Sequence, residues 1–179
     1  MSTPQYTPYK DALTQSMTLL GSLETIFVGQ QILYHGNPMS TTLSGVSREL
    51  MHELPVMEES QMGISLGIAM TGRKVITFYP RWDFLICATN QLVNHVDKIK
   101  LMSNHTWNPN LLIRVGKGSD QPLDPGHQHK GNYLDEFKSL CKNIQFHDLL
   151  KPSDILESYE IASKGGIHVL VEYPELYYK

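Results

Sequence analysis

Pro55-Val56-Met57-Glu58-Glu59-Ser60-Gln61-Met62-Gly63-Ile64-Ser65-Leu66-Gly67-Ile68-Ala69-Met70-Thr71-Gly72 leads, one residue later, into Lys74-Val75-Ile76-Thr77-Phe78-Tyr79. The first part predicts a helix rich in small residues from Glu58 to Met70, and the second a strand of β-branched and aromatic residues. Helix followed by continuous apolar strand is the unit of an α/β fold with a covered parallel sheet. Glu58 and Glu59 open the helix. A carboxylate there either stabilises the helix start or has its proton put to use, and residue chemistry leaves both readings open. Gly63, Gly67 and Gly72 are poor helix formers, so they predict close packing, within the chain or at a subunit interface.

The pattern repeats outward from this unit. Upstream, Pro8 to Gly21 reads as a helix, Thr25 to Gly29 as a buried strand and Gln30 to Gly45 as a polar loop. Ser47 to His52 reads as a short helix, and Val56 with Met57 as a short strand edge. Downstream, Asp83 to Met102 reads as one long helix with Ile86, Asn90, Val93 and Asp97 on one stripe. Asn110 to Val115, Asn143 to His147 and Ile167 to Tyr173 read as strands; Tyr133 to Cys141 and Pro152 to Lys164 read as helices. The sum predicts a single doubly wound α/β domain over residues 1–179: a mostly parallel sheet with helices on both faces, and residues 1–8 as a flexible arm. Such sheets bind ligands beyond the C-terminal ends of their strands. The informative loops are therefore those after Gly29, Met57, Tyr79 and Val115.

Composition narrows the class of function. Hydrophobic residues make up 41% of the 179 and charged residues 18%, which suits a packed core. A net charge of −3 with no basic, aromatic-laced run argues against nucleic acid. No apolar run approaches a membrane span, and the first ten residues lack the apolar core of a secretory signal, so a cytoplasmic location is expected. Cys87 and Cys141 read as reduced thiols. No Walker loop, dinucleotide glycine loop or serine nucleophile elbow is present. His127 and His129 have no further ligands at metal-site spacing, so no metal is assigned to this chain.

Taken together, several segments resemble a known family. They are Phe27-Val28-Gly29; Pro55 to Gly72; Phe84, Asn94 and Lys98; Leu101-Met102-Ser103; Gln128-His129; and Val169 to Tyr177. Their order and spacing resemble the pyrimidine-binding domain of transketolase-like thiamine diphosphate enzymes, above all the N-terminal domain of the 2-oxoacid dehydrogenase beta subunit. In that family a glutamate hydrogen-bonds the ring nitrogen of the cofactor's aminopyrimidine. The contact favours the imino tautomer, whose nitrogen takes the thiazolium proton. The resemblance puts this role on Glu58 and leaves Glu59 as a neighbour. It implies an aromatic stacked on the pyrimidine, for which Phe84 matches and Trp82 stands close by, with Val56 on the ring's other side. It implies that His129 is catalytic, facing the substrate or intermediate.

Two departures qualify the resemblance. The family carries an acid directly after the first strand's glycine, where this chain has Gln30, which hydrogen-bonds the cofactor but shuttles no proton. The Gly-Asp-Gly segment and downstream asparagine that hold the diphosphate and its magnesium are also missing. The expected function is therefore the pyrimidine-binding subunit of a split enzyme, inactive alone, that decarboxylates or transfers a carbon fragment from a 2-oxo acid or keto sugar. Thiamine diphosphate is shared with a partner chain that carries Gly-Asp-Gly and holds Mg2+ or a similar ion. The glycine-bearing helix is expected to build a homodimer or heterotetramer. Two alternatives stay open: a non-catalytic assembly or regulatory subunit, and a flavodoxin-like nucleotide or flavin binder. Arg114, Lys117 and His129, near the predicted mouth, are candidates for holding a carboxylate or phosphate.

Overall fold

Six strands make one sheet in the order β2-β1-β3-β4-β6-β5, every neighbouring pair parallel. They are β1 (Ile26–Gly29), β2 (Met51–Glu53), β3 (Lys74–Tyr79), β4 (Asn110–Gly116), β5 (Gln145–Asp148) and β6 (Ile167–Glu172). The computed structural model describes residues 7–34, 36–121 and 123–178. Most of the expected N-terminal arm, residues 1–6, lies outside them; Thr7 and Pro8 cap and open the first helix.

Period-two alternation decides which side chain faces which layer. Ile26, Val28, Val75, Tyr79, Leu111, Ile113, Val115, Val169 and Val171 join the core under α2 (Glu58–Met70) and α5 (Leu134–Leu140). Phe27, Ile76, Phe78, Leu112 and Leu170 join a second core under α1 (Pro8–Ser22) and α6 (Pro152–Ser163). Both faces are covered, which is the doubly wound α/β architecture. Among the described residues no helix is long and apolar enough to cross a membrane.

The second core also contains polar groups. Arg114 is wholly buried and makes a two-pronged bond to Glu172, Nε to Oε1 at 2.9 Å and Nη2 to Oε2 at 2.7 Å. It adds a bond to Thr42 Oγ1 at 3.1 Å, and the Tyr177 hydroxyl donates to Glu172 at 2.7 Å. Nearby on the sheet, His147 Nε2 and His168 Nδ1 lie 3.0 Å apart, and His168 Nε2 reaches the Gly165 carbonyl at 2.9 Å.

Three local expectations are corrected. The second strand is Met51–Glu53, preceded by a helical turn over Arg48–Leu50; Val56 and Met57 form no strand. The long helix after β3 is broken into α3 (Trp82–Leu85), a tight turn over Ile86–Ala88, a wide π-turn over Gln91–Val96 and α4 (Ile99–Met102). Its buried stripe is Leu85, Ala88, Leu92, Val96 and Ile99, and Ile86 is exposed. Asp97, placed on the other stripe, is buried because it accepts the Asn143 backbone and side-chain N–H groups at 2.7 and 3.2 Å. Finally, a Cβ added to Gly67 would meet nothing within 4 Å, and one on Gly63 only the Gln91 side chain at 3.5 Å. Close intramolecular packing is therefore not what these two glycines serve.

Candidate functional site

The strand order reverses between β1 and β3: the chain leaves β1 for β2 on one side and returns to β3 on the other. A crevice opens outside the carboxyl ends of strands at such a point. Here it is a cavity of about 530 Å3, lined among others by Gln30 after β1, Val56 and Glu58 after β2, Pro80, Arg81 and Phe84 after β3, Lys117 after β4 and Pro174 after β6. That volume suits a small organic ligand.

The adjacent glutamates part company in space. Glu59 is occupied on the broken helix, accepting from Asn90 Nδ2 at 2.7 Å and Gln91 Nε2 at 3.4 Å. Glu58, the first residue of α2, is half-buried on the cavity wall. Two contacts fix the backbone beneath it. The Tyr79 hydroxyl donates to the Glu58 carbonyl at 3.0 Å, and the wholly buried Gln61 donates from Nε2 to Thr77 Oγ1 at 2.9 Å and the Phe78 carbonyl at 2.8 Å. Burial, aided by the charges of Glu58 and Glu59, pushes the Tyr79 phenol up, so it stays a donor. The positive end of the helix favours a carboxylate at this position.

Trp82 and Phe84 also separate. Trp82 is fully buried and stacks on Phe137 at 5.3 Å in the core; it is not among the residues lining the cavity. Phe84 lines the cavity, with the His129 ring edge-on to it at 5.4 Å. His129 is held from behind, since Arg81 Nη1 donates to its carbonyl at 3.0 Å. Its Nδ1 is buried with no hydrogen-bond partner among the described residues. Val56 is 81% exposed at the cavity wall, and Gln30 is half-buried there.

The walls are pinned. At the end of β2, Glu53 accepts the backbone N–H groups of Gln31, Ile32 and Leu33, the last two at 2.9 Å, and so clamps the loop after β1. Asp83 accepts the Gly131 N–H at 3.3 Å, and Ser119 donates to Glu175 at 2.7 Å. Arg114 is not at the mouth: it points into the second core, where Glu172 holds it. Arg81, Pro80 and Asn37 on the wall went unread in the sequence, although Pro80 and Arg81 follow directly on a strand end. Among the described residues no three His, Cys, Asp or Glu side chains gather to hold a metal ion.

No family model matches the chain. It is 30% identical over 70 residues to the 2-oxoisovalerate dehydrogenase subunit beta of Bacillus subtilis (strain 168), a match covering 39% of this chain and 21% of that protein. It is 26% identical over 117 residues to the pyruvate dehydrogenase E1 component subunit beta of Cyanidium caldarium, covering 62% of this chain and 35% of that protein. This chain resembles 2-oxoacid dehydrogenase beta subunits. A solved structure titled split gene transketolase, inactive beta4 tetramer, matches 93% of this chain and 52% of that one, with a TM-score of 0.72 at 14% identity. The domain is thus similar to the pyrimidine-binding domain of transketolase-like thiamine diphosphate enzymes, the likeness its sequence carries. The matches span only 21% and 35% of the two curated relatives.

Proposed function

We propose that this chain is the pyrimidine-binding subunit of a split thiamine diphosphate enzyme that acts on a 2-oxo acid or keto sugar. The observation that carries the reading is the parting of the two glutamates: Glu59 is taken by Asn90, while Glu58 lines the cavity together with Phe84 and Val56. An aminopyrimidine asks for a carboxyl group at one ring nitrogen and apolar flanks on its faces, and these three residues supply that set.

When bound, thiamine diphosphate supplies the carbon nucleophile for cleaving a bond next to a ketone. Glu58 holds or shares a proton at the pyrimidine ring nitrogen, and Tyr79 and Gln61 fix the backbone from which it reaches. Phe84 packs on the ring; His129, the residue expected to exchange a proton with substrate, stands behind Phe84 and is not among the residues lining the cavity. In this reading the diphosphate and its Mg2+ are held by a Gly-Asp-Gly segment on a partner chain. The fold neighbour is a split gene transketolase in an inactive beta4 tetramer, and by analogy this chain alone is taken to self-associate without activity. The exposed Gly67 and Ile64 on α2 suit such an interface.

Glu58→Gln in the complex reconstituted with that partner should lower turnover by about 10²- to 10⁴-fold, the range of a lost proton-transfer group. Glu59→Gln should change it less than about threefold, as a residue outside the cavity. Unchanged turnover in Glu58→Gln would sink the catalytic reading. Gln30 favours the second reading, a non-catalytic assembly subunit. That reading gains if the complex assembles yet shows no thiamine-dependent turnover, and a yellow cofactor on the purified chain would favour a flavin binder over both.

A further inference from the structure

We propose that Arg81 and Lys117 form an anion subsite in this cavity and receive the carboxylate or phosphate tail of the keto substrate. The assignment to substrate rests on the pyrimidine reading above.

Strand register brings the two cations together. β3 and β4 pair in parallel, with Tyr79 opposite Val115. Arg81 and Lys117 each lie two residues beyond that pair. Neighbouring strands run about 4.8 Å apart, so the two chain segments leave the sheet side by side. They stay close because Gly116 follows Val115: any side chain there would collide with the Pro80 carbonyl oxygen. Both cations then line the cavity that Glu58 and Phe84 also line.

Two other basic groups at this end of the sheet are neutralised where they stand. Lys130 is paired with Asp120 and Asp124, and Arg114 with Glu172. Among the described residues, neither Arg81 nor Lys117 has a carboxylate within 4 Å. Arg81 spends one N–H on the His129 carbonyl. A guanidinium has five, in a fork that fits carboxylate and phosphate. Asp83 attracts Arg81 at longer range, but its carboxylate accepts from the Gly131 N–H. Lys117 is steadied by the Tyr173 ring, its Nζ 5.0 Å from the centroid. Burial disfavours the Arg81 charge, a cost that an incoming anion offsets.

The cavity's charge balance selects the ligand. Among the described residues Glu58 is the only acid lining it; Gln30, Gln31, Asn37, Ser119 and Gln121 are neutral. Two unpaired cations on the β3–β4 side therefore face a single carboxyl group that the cofactor itself engages. A ketone with an anionic tail fits this arrangement and a neutral ketone does not.

The test titrates the full chain with inorganic phosphate and, separately, with pyruvate at fixed ionic strength, following amide chemical shifts. The stronger ligand identifies the tail as phosphate or carboxylate. Arg81→Gln and Lys117→Gln should each weaken that binding about tenfold, in line with loss of one charge-assisted contact. Arg81→Lys should retain part of it, and Lys130→Gln, on the exposed loop, should retain all of it. Equal titration of wild type, Arg81→Gln and Lys117→Gln overturns the subsite and leaves the pyrimidine reading intact. Thiamine, titrated in parallel against wild type and Glu58→Gln, reports that reading separately. Thiamine binding indifferent to Glu58 overturns it, and with it the assignment of the subsite to a keto substrate.

Discussion

Arg114 and Arg81 carry the same guanidinium into two different regions. Arg114 sits within β4, facing the core under α1 and α6, with a carboxylate, a threonine hydroxyl and a tyrosine hydroxyl around it. Arg81 sits in the crevice, half-buried, with one carbonyl for a partner. A buried cation survives only with its donors matched, because removing charge from water costs several kcal/mol. A cation at a crevice wall keeps water as its default partner and can exchange it for a ligand. The first arrangement locks a core, and the second leaves a surface that reads what enters.

The comparison breaks most sharply at Glu172. Glu172→Ala strands the Arg114 charge in the core, and urea unfolding should show a loss of about 3–5 kcal/mol. Arg81→Gln should cost no more than about 1 kcal/mol in the same experiment, as for ordinary partly exposed positions. Comparable losses for both would erase the distinction between the regions.

A second contrast is the acid sensitivity that the α1/α6 side carries. Burial first, then the neighbouring His168, lowers His147 to about 4, and burial lowers His168 as well. In the unfolded chain a histidine titrates near 6.5. Between about pH 6.5 and 4 the unfolded chain binds protons that the folded chain refuses, so stability is full above 6.5 and falls as pH drops through that window. His147→Gln should flatten this acid limb in denaturation curves taken between pH 7 and 4. An unchanged limb would move the sensitivity elsewhere.

The smallest effect is expected at Gly67. With open space where its Cβ would be, Gly67→Ala should stabilise the isolated chain by up to about 1 kcal/mol, the helix-propensity difference. A self-associated form that becomes weaker with the same substitution would show that the glycine serves an interface.

The fold was legible where residues repeat with a clear period. The runs in β3, β4 and β6 are long enough to announce buried parallel strands, and their alternation assigns every side chain to a face. β2 was not legible: three residues, one of them His52 and one Glu53, carry no apolar run, and its pairing with β1 makes it a strand. The broken segment after β3 has no Pro or Gly between residues 82 and 102, so nothing local signals the interruption. At the site, Glu58 could be told from Glu59 only by its flanks. Trp82 and Phe84 could not be told apart at all, since both are aromatic. Residues two apart on a helix point to different sides, so one had to enter the core and the other to leave it.

The clamp that Glu53 places on the loop after β1 has a thermodynamic consequence. Gln31 stands in the left-handed backbone region, at φ 56°, a conformation that costs free energy for a residue with a side chain. Three backbone N–H groups converging on one carboxylate offset that cost inside the protein itself. The Gln30 side of the cavity is therefore shaped before any molecule arrives. A ligand meeting it loses its own freedom on docking but does not have to order the loop, so affinity at this wall reflects the contacts made rather than the folding of the wall.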